Sequence, residues 1–304
     1  MLPRFPARTQ ALHSPPIAAI TTRAAALAAS GRELVNLGQA VLGMSPPAAA
    51  LDAVRAYLDG DAPHVYSPDP GLPAVRATVA AFLREHKGLS TACADEVLLT
   101  CGANQAFANA LFSITEPGDE VVLFGPHYFD HVYTIALAGC RCVEVALRGS
   151  ERFAIDFDAL ERAVSARTRA VVVVAPSNPA GVLPSRTELE RLLALCERIG
   201  AWLVSDETYD LLCFPPAEHV APARLAPERV LSLGSFSKTF ALAGWRIGFL
   251  HGPRAVIDEA IKVQDALVVC APVPAQLAAA AALELAPGFA ATARQACAER
   301  RATL

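Results

Sequence analysis

Residues 230–248 read VLSLGSFSKTFALAGWRIG. The stretch opens with a short apolar run, 230–233, that is typical of a buried strand, and it continues into a turn of small and hydroxyl-bearing residues. Lys238 and Arg246 follow closely after this strand. Because ligands of open α/β sheets bind at the carboxyl ends of the strands, an amine and a guanidinium there indicate a binding or catalytic site.

Outward from this stretch, strand-like and helix-like segments alternate along the chain. Further apolar runs bounded by turn formers predict strands at 96–100, 120–124, 141–146, 170–175 and 202–205. Helical patterns occur at 48–58, 72–86, 158–165 and 186–199, and an Ala-rich helical pattern occurs at 273–304. This alternation predicts an α/β fold with a mostly parallel sheet between helices.

The composition excludes several classes of protein. Hydrophobic residues make up 53% of the 304-residue chain and charged residues 18%, which supplies a buried core and argues against disorder. The formal net charge of −4 gives no reason to expect nucleic acid or an anionic membrane as a partner. The eight cysteines form no CxxC pair, so we expect buried free thiols.

The N-terminal residues do not indicate a membrane or a targeting segment. No apolar run reaches the roughly 18 residues of a membrane span. The first 32 residues hold Arg but no acid, as transit peptides do, yet prolines such as Pro6 would break a targeting helix early. We therefore predict an N-terminal arm that lies on the protein, and a cytoplasmic location.

Three other predicted strand ends also carry small or polar residues. They are Gly102, Ala103 and Asn104 after 96–100, Asn178 after 170–175, and Asp206 and Tyr209 after 202–205. Small residues before a helix let backbone amides approach an anion. Each piece alone is explained by an ordinary turn, a cap or a core tyrosine. Together they predict one site with an amine, an acid, hydrogen-bond donors and an anion pocket.

The stretch 235–248 resembles the cofactor-lysine signature of the class I and II aminotransferases, which are fold-type I enzymes that use pyridoxal phosphate (PLP). The other motifs occur in the order of that family. They are Tyr66 in 66–72, Asn178-Pro179-x-Gly181, Asp206-x-x-Tyr209, Lys238 and then Arg246. The resemblance runs from about residue 15 to the last residue of the chain.

The resemblance implies a seven-stranded, mostly parallel sheet between helices, with a smaller second domain that is incomplete here. Residues 1–43 would form an N-terminal arm and small-domain segment, and 44–270 the PLP-binding large domain. Residues 271–304 would form an interdomain helix and the truncated start of the C-terminal small domain.

The resemblance also implies a role for each matching residue. Lys238 would carry PLP as a Schiff base and then transfer protons, while Asp206 would keep the pyridine nitrogen protonated. Tyr209 and Asn178 would donate hydrogen bonds to the ring oxygen, and Tyr128 would stack on the ring. The full cofactor-binding set is Gly102, Ala103, Asn104, Tyr128, Asn178, Asp206, Tyr209, Ser235, Ser237, Lys238, Arg246 and Tyr66.

Other implications concern the reaction and its partners. The catalytic set would be Lys238, Asp206 and Tyr209, with Ala40 and Asn178 beside the substrate and no metal. Tyr66 would reach the phosphate of the neighbouring subunit, which implies a homodimer with a shared active site. The expected reaction moves an amino group from an amino acid, of the aspartate or aromatic type, to a 2-oxo acid. Carbon–sulfur β-lyases and aminocyclopropane-carboxylate synthases share this signature and stay open as alternatives.

Two departures from the family pattern bear on activity. The family usually has a second Gly where Ala40 stands, and we expect its methyl group to crowd the site or narrow the range of substrates. The family also continues beyond residue 304 and supplies there an arginine for the substrate carboxylate. A truncated chain, a decayed or regulatory PLP-binding protein, or a replaced arginine would each explain this. We favour truncation, and expect this chain to bind PLP but transaminate poorly.

Three short motifs of other protein classes are also present, but each lacks a residue or a position that its class requires. Ser235-x-x-Lys238 fits the S-x-x-K signature of penicillin-binding proteins, but the S-D-N and K-T-G partners are missing. Residues 127–131 resemble an H-x-x-E-H zinc motif, but they carry Asp for Glu and follow a strand end. Ser237 stands where a P-loop requires Gly.

Overall fold

The structure is a computed structural model that describes residues 4–10, 12–14, 16–61 and 63–303, with every side chain except that of Pro16. Residues 1–3, 11 and 15 of the predicted N-terminal arm lie outside the described residues, and so does Leu304 at the end of the predicted C-terminal segment. Strands and helices alternate along the described chain, as the sequence predicts.

Seven strands form one sheet. They are β1 (Val97–Thr100), β2 (Glu120–Gly125), β3 (Arg141–Ala146), β4 (Thr168–Val174), β5 (Trp202–Asp206), β6 (Val230–Ser235) and β7 (Gly248–His251). The strands lie in the order β1-β7-β6-β5-β4-β2-β3, and only the pairs that involve β7 are antiparallel. The predicted seven-stranded, mostly parallel sheet is confirmed.

Helices cover both faces of the sheet. They are α1 (Ala7–Gln10), α2 (Pro16–Ala29), α3 (Ala48–Asp59), α4 (Pro73–Lys87), α5 (Ala103–Ile114), α6 (Phe129–Leu137), α7 (Phe157–Ala163), α8 (Arg186–Ile199), α9 (Arg254–Val268), α10 (Val273–Leu283) and α11 (Ala286–Thr303). Phe107 of α5 and Ile257 of α9 are buried in the core on one face. Val79 of α4 and Leu192 of α8 are buried in the core on the other face.

The valine run of β4 explains why the sheet has two cores. Successive side chains of a strand point to opposite faces. Val171 and Val173 accordingly pack in one core, and Ala170 and Val172 pack in the other. Burying each such valine stabilises the fold by roughly 1.5–3 kcal/mol. A strand of this composition is stable only between two layers of helices.

Local signals fix the ends of α8. The Ser185 side chain accepts a hydrogen bond from the Glu188 amide, and the Glu188 carboxylate accepts one from the Ser185 amide. The helix ends at Gly200, whose φ of 69° is left-handed. These caps account for the agreement between the predicted helix at 186–199 and the observed one.

The C-terminal helices pack on the same core as the sheet. Ala275 and Ala279 of α10 are buried in the core that also holds residues of α3 and α4. The division of the chain at residues 43/44 and 270/271 stays a prediction. Among the described helices none is long and apolar enough to cross a membrane by itself, and α10 and α11 reach that length only as a pair bent by 87°.

The cysteines differ in part from the prediction. All eight are free thiols, but only Cys196 is buried, while Cys93 is exposed and the others are half-buried. The expectation of buried thiols is therefore wrong for seven of the eight. Six of the seven lie in loops or on the edge strand β3, and Cys297 lies within α11, so the core covers them at most in part.

Candidate active site

The predicted site residues gather at one edge of the sheet. Strands β4, β5 and β6 are adjacent and parallel, so their carboxyl ends at Val174, Asp206 and Ser235 lie side by side. Strand β7 runs antiparallel between β6 and β1, and its first residue, Gly248, pairs with both Ser235 and Thr100. The segments that follow β1 and precede β7 therefore reach the same edge. This is the edge at which the strand-end rule predicts a site.

Lys238 lies half-buried in the turn that follows β6. Its Nζ atom donates a hydrogen bond of 2.8 Å to the carbonyl oxygen of Ala40 and lies 5.9 Å from the centre of the Tyr209 ring. Burial, together with the positive charge of Arg246, lowers the pKa of the Lys238 amine. A lower pKa raises the neutral fraction of the amine, which is the nucleophilic form.

Asp206 is the last residue of β5, and its carboxylate is buried. Its Oδ2 lies 3.2 Å from Nε2 of His131, and its Oδ1 accepts a hydrogen bond of 3.0 Å from the Thr208 amide. Burial alone would raise the pKa of Asp206, but the contacts with His131 and Thr208 outweigh it, and the pKa lies below its ordinary value. Asp206 is therefore a buried carboxylate that keeps its negative charge.

His131 is a site residue that the sequence reasoning missed. It lies on α6, is buried, and packs 4.3 Å from the ring of Phe107, measured between ring centres. The sequence presented it only as part of the zinc-like motif at 127–131. A usable signal was its place one turn after Tyr128, in a segment that follows a strand end. In the structure, His127 contacts Glu144 at 3.1 Å whereas His131 contacts Asp206, so the two imidazoles do not converge on one metal site.

Tyr209 and Asn178 lie beside Asp206. Burial, and then the negative charge of Asp206, raise the pKa of the Tyr209 hydroxyl, while the Asn178 side chain opposes the rise. Tyr209 therefore keeps its proton at neutral pH and is a hydrogen-bond donor. The predicted pair Asn178 and Tyr209 is brought together at the ends of β4 and β5.

Gly102, Arg246 and the start of α5 form a cradle for an anion. Gly102 has a φ of 87° and precedes α5, whose first turn receives no side-chain cap from the described residues. A Cβ atom at Gly102 would lie 2.5 Å from Nη2 of Arg246. The Arg246 guanidinium donates to the backbone oxygens of Ala243 and Cys101, at 3.0 and 3.4 Å. A guanidinium beside free helix amides matches the charge and the donor geometry that a phosphate requires.

The Ser235 hydroxyl group and a second glycine, Gly248, complete this cradle. Ser235 Oγ accepts a hydrogen bond of 3.2 Å from the Ser237 amide, at the start of the turn that carries Lys238. A Cβ atom at Gly248 would lie 2.9 Å from the amide nitrogen of Ala103. The missing side chain lets the beginning of β7 approach the N-terminus of α5 closely. The predicted phosphate residues are thus neighbours in space.

Tyr128 and Asn104 share one partner, Asp130. The Tyr128 hydroxyl donates to Oδ2 of Asp130 at 2.5 Å, and Asn104 Nδ2 donates to the same oxygen at 2.9 Å. Burial and this hydrogen bond raise the pKa of Tyr128. The ring of Tyr128 lies edge-on to His131, with 5.4 Å between ring centres. Asp130 was not singled out from the sequence, since its role depends on the meeting of α5 and α6.

Tyr66 and Ala40 differ in their relation to the site. The Tyr66 side chain is 79% exposed, and no hydrogen bond or ring contact joins it to Lys238 within the described residues of one chain. Ala40 contacts Lys238 through its backbone carbonyl. The predicted stacking of Tyr128, the substrate contact of Ala40 and the contact of Tyr66 with a neighbouring subunit stay predictions.

Comparison with known proteins gives consistent matches over most of the chain. Residues 32–304 match the family described as aminotransferase class I and II. The aspartate/prephenate aminotransferase of Thermus thermophilus is 34% identical over 297 residues, which are 97% of this chain and 76% of that protein. An aromatic aminotransferase of Arabidopsis thaliana is 32% identical over 84% of this chain and 65% of its own length.

Solved structures show the same similarity. The Thermus thermophilus aspartate aminotransferase with maleate superimposes with a TM-score of 0.93 at 33% identity, over 99% of this chain and 78% of that one. N-succinyldiaminopimelate aminotransferase from Mycobacterium tuberculosis gives a TM-score of 0.92 at 32% identity, over 99% of this chain and 77% of that one.

Proposed function

This chain belongs to the class I and II aminotransferase family, and we propose that it transfers amino groups between amino acids and 2-oxo acids with PLP bound at the edge of β4, β5 and β6. The observation that carries the proposal is the arrangement of three groups at that edge. These are a half-buried amine at Lys238, a buried carboxylate at Asp206 and an anion cradle at Gly102 and Arg246.

The residues present fit this cofactor. PLP would supply an aldehyde that exchanges amines and a ring that accepts electrons. Lys238 Nζ, whose pKa is lowered by burial, would bind at the aldehyde carbon and would carry a proton to and from the substrate. Asp206, held as a carboxylate by His131 and Thr208, would pair with the pyridine nitrogen and keep it protonated. Ser235, Ser237, Arg246 and the amides of Ala103 and Asn104 would hold the phosphate.

The remaining residues would orient the ring and complete the dimer. Tyr209 keeps its proton, so it would donate to the ring oxygen together with Asn178. Tyr128 would stack on the ring, and Ala40 would lie beside the substrate with Asn178. Tyr66 would contact the phosphate site of the partner subunit in a homodimer, which agrees with its exposure in one chain. We keep the cytoplasmic location as a prediction.

The names of the relatives support a proposal for the amino donor. The names of the relatives refer to aspartate, prephenate and aromatic substrates. We therefore propose an aspartate-type or aromatic amino donor and a 2-oxo acid acceptor. The carbon–sulfur lyase and the aminocyclopropane-carboxylate synthase differ from this proposal in their products, so a product assay separates the three.

A donor panel tests the proposal. The purified chain with added PLP is incubated with 2-oxoglutarate and aspartate, phenylalanine or tyrosine, and the glutamate formed is measured. We expect glutamate with PLP present and no glutamate from Lys238→Ala. Lys262→Ala, which changes an exposed lysine of α9, should behave as wild type. Pyruvate with ammonia from an S-alkylcysteine, supplied in a separate reaction, would indicate the lyase, and bound PLP without any turnover would indicate the impaired PLP-binding protein.

A further inference from the structure

Four side chains of the segment 206–210 divide between the candidate active site and a second, buried group of charges. Asp206 contacts His131 in the candidate active site, and the ring of Tyr209 lies 5.9 Å from Lys238 Nζ. Glu207 and Asp210, each the next residue along the chain, instead contact the ammonium group of Lys87. One short segment thus carries two proposed cofactor contacts on one side and two carboxylates on the other.

Lys87, Glu207 and Asp210 form a buried ionic group, here called the Lys87 cluster. Lys87 is the last residue of α4, and its Nζ lies 2.9 Å from Oε2 of Glu207 and also contacts Oδ2 of Asp210. The side chains of Lys87 and Glu207 are 5% exposed, and that of Asp210 is 13% exposed. Water therefore screens these charges little, and their attraction is strong. The cluster ties the segment 206–210 to the end of α4.

His219 lies next to the Lys87 cluster but is not the cation that neutralises its carboxylates. Its Nε2 lies 3.8 Å from Oε2 of Glu207 and has no hydrogen-bond partner among the described residues. Burial, and then the charge of Lys87, lower the pKa of His219 to about 4, so the imidazole is neutral at pH 7. Glu207, Asp210 and His219 have the spacing of metal ligands, but the ammonium of Lys87 already lies between the two carboxylates. The cation that neutralises them is therefore Lys87.

We propose that Lys87 is a positioning residue, whose ammonium fixes the segment 206–210 and so holds Asp206 and Tyr209 in place for the cofactor. The inference rests on the proposed function, since it concerns the same site. Among the described residues, no hydrogen bond or ion pair joins Lys87 to a proposed cofactor residue. Without the cation, Glu207 and Asp210 are two buried carboxylates that repel each other, and Tyr209 lies between them in the chain. Separation of the two carboxylates moves Tyr209 relative to Asp206 and Lys238.

Hydrogen exchange of the cofactor-free protein first tests whether the Lys87 cluster holds the segment 206–210 in place. Within the segment, the Glu207 amide donates to Leu233, the Asp210 amide to Glu207 and the Leu212 amide to Tyr209, at 2.9–3.2 Å. In Lys87→Met we expect these amides to exchange roughly tenfold faster or more, because the segment opens locally. Peptides from α9 should exchange as in wild type. Unchanged exchange at 206–212 would overturn the proposal, whether or not the chain binds PLP.

Cofactor affinity gives the second readout. We expect Lys87→Met to raise the Kd for PLP roughly tenfold or more, which is about 1.4 kcal/mol of binding free energy. Glu120→Gln is the matched control, because it breaks another buried ionic group, at the opposite edge of the sheet. It should lower the melting temperature and leave the Kd unchanged. Equal Kd values for Lys87→Met and wild type, or an equal rise in Glu120→Gln, would reject the positioning role.

Two further variants keep the proposal testable if Lys87→Met does not fold. Lys87→Arg keeps a cation at the cluster, which borders a cavity also lined by Phe82 and Ser232. It should restore most of the PLP affinity. The triple variant Lys87→Met/Glu207→Gln/Asp210→Asn removes all three charges and with them the repulsion, so it should fold. Because its segment 206–210 is no longer tied to the end of α4, it should still exchange faster at 206–212 than wild type. If the wild-type chain takes up no PLP, only the proposed function is refuted. The exchange result still decides whether the Lys87 cluster holds the segment 206–210 in place.

Discussion

At Gly102 the backbone has a φ of 87°, in the left-handed region that side chains other than hydrogen disfavour. The residue stands directly before α5, and the Arg246 guanidinium occupies the space where a Cβ atom would lie. Glycine therefore serves two purposes here. It permits the turn between β1 and α5, and it lets a cation lie against the first amides of the helix.

We predict that Gly102→Ala weakens the proposed phosphate site. The left-handed backbone would cost roughly 1–2 kcal/mol with alanine, and the methyl group would push the Arg246 guanidinium away. The Kd for PLP should rise by about tenfold, as measured by a fluorescence titration. Gly200→Ala is the control, since its φ is also left-handed, at 69°, but nothing lies within 4 Å of the added carbon. An equal loss of affinity in both variants would contradict the steric argument.

The site residues divide into those that the sequence predicts and those that it does not. Lys238, Asp206 and Asn178 follow buried strands, so their place at one edge of the sheet can be read from the strand pattern. His131 and Lys87 act on Asp206 and Glu207 from α6 and α4, which are distant in the chain. Their contacts depend on how helices pack against the sheet, and no local pattern reports that packing.

Among the elements, β2 begins with a buried charge. Glu120 is fully buried, and its carboxylate accepts hydrogen bonds from Arg141 at 2.6 Å, from Arg167 at 2.8 Å and from Ser165 at 2.7 Å. Arg141 opens β3 and Arg167 directly precedes β4. The carboxylate therefore joins the starts of three neighbouring strands, at the edge of the sheet opposite the candidate active site.

We predict that this carboxylate stabilises the fold in a pH-dependent way. The hydrogen bond with Arg141, opposed by burial and supported by Ser165 and Arg167, lowers the pKa of Glu120 from 4.5 to about 2. The stabilisation is complete above the unfolded pKa of 4.5 and is lost as the pH falls towards about 2. Glu120→Gln should lower the free energy of unfolding at pH 7 by about 2 kcal/mol, in urea titrations. A gap between wild type and variant that persists unchanged at pH 2 would refute this.

The elements were predicted to different degrees. The strands β2, β4, β5 and β6 are continuous apolar runs, and hydrophobic burial on both faces makes them recognisable. Strand β7 contains only two apolar residues, Phe249 and Leu250, after Gly248, so its pattern does not identify a strand. Its antiparallel pairing with β6 and β1 comes from the whole sheet. The family resemblance, rather than periodicity, implied a seventh strand.

For the whole molecule, the N-terminal segment exposes an unusual amount of apolar surface. Val35 and Leu37 are each 82% exposed, and Tyr66, predicted to serve a neighbouring subunit, is 79% exposed. A large exposed apolar surface is typical of a protein interface. The exposure agrees with a homodimer in which Tyr66 completes the site of the partner.

We predict that two variants that each lack one group of the shared site recover PLP binding when they are refolded together. Lys238→Ala lacks the amine but keeps Tyr66, and Tyr66→Ala lacks the phenol but keeps Lys238. A hybrid dimer has one site with both groups, so an equal mixture should recover up to about a quarter of the wild-type high-affinity PLP sites, because about half of the dimers are hybrids. The mixture is made by unfolding and refolding together, and PLP uptake is measured by absorbance. Uptake equal to the mean of the separate variants would contradict the shared site.

The central claim is the covalent attachment of PLP to Lys238. The chain has lysines only at positions 87, 238 and 262, which makes the assignment simple. The purified chain is mixed with PLP, reduced with borohydride, digested, and examined by peptide mass spectrometry. We expect a cofactor mass on the peptide that contains Lys238, and none on the peptides of Lys87 and Lys262. An unmodified Lys238, or cofactor attached elsewhere instead, would contradict it.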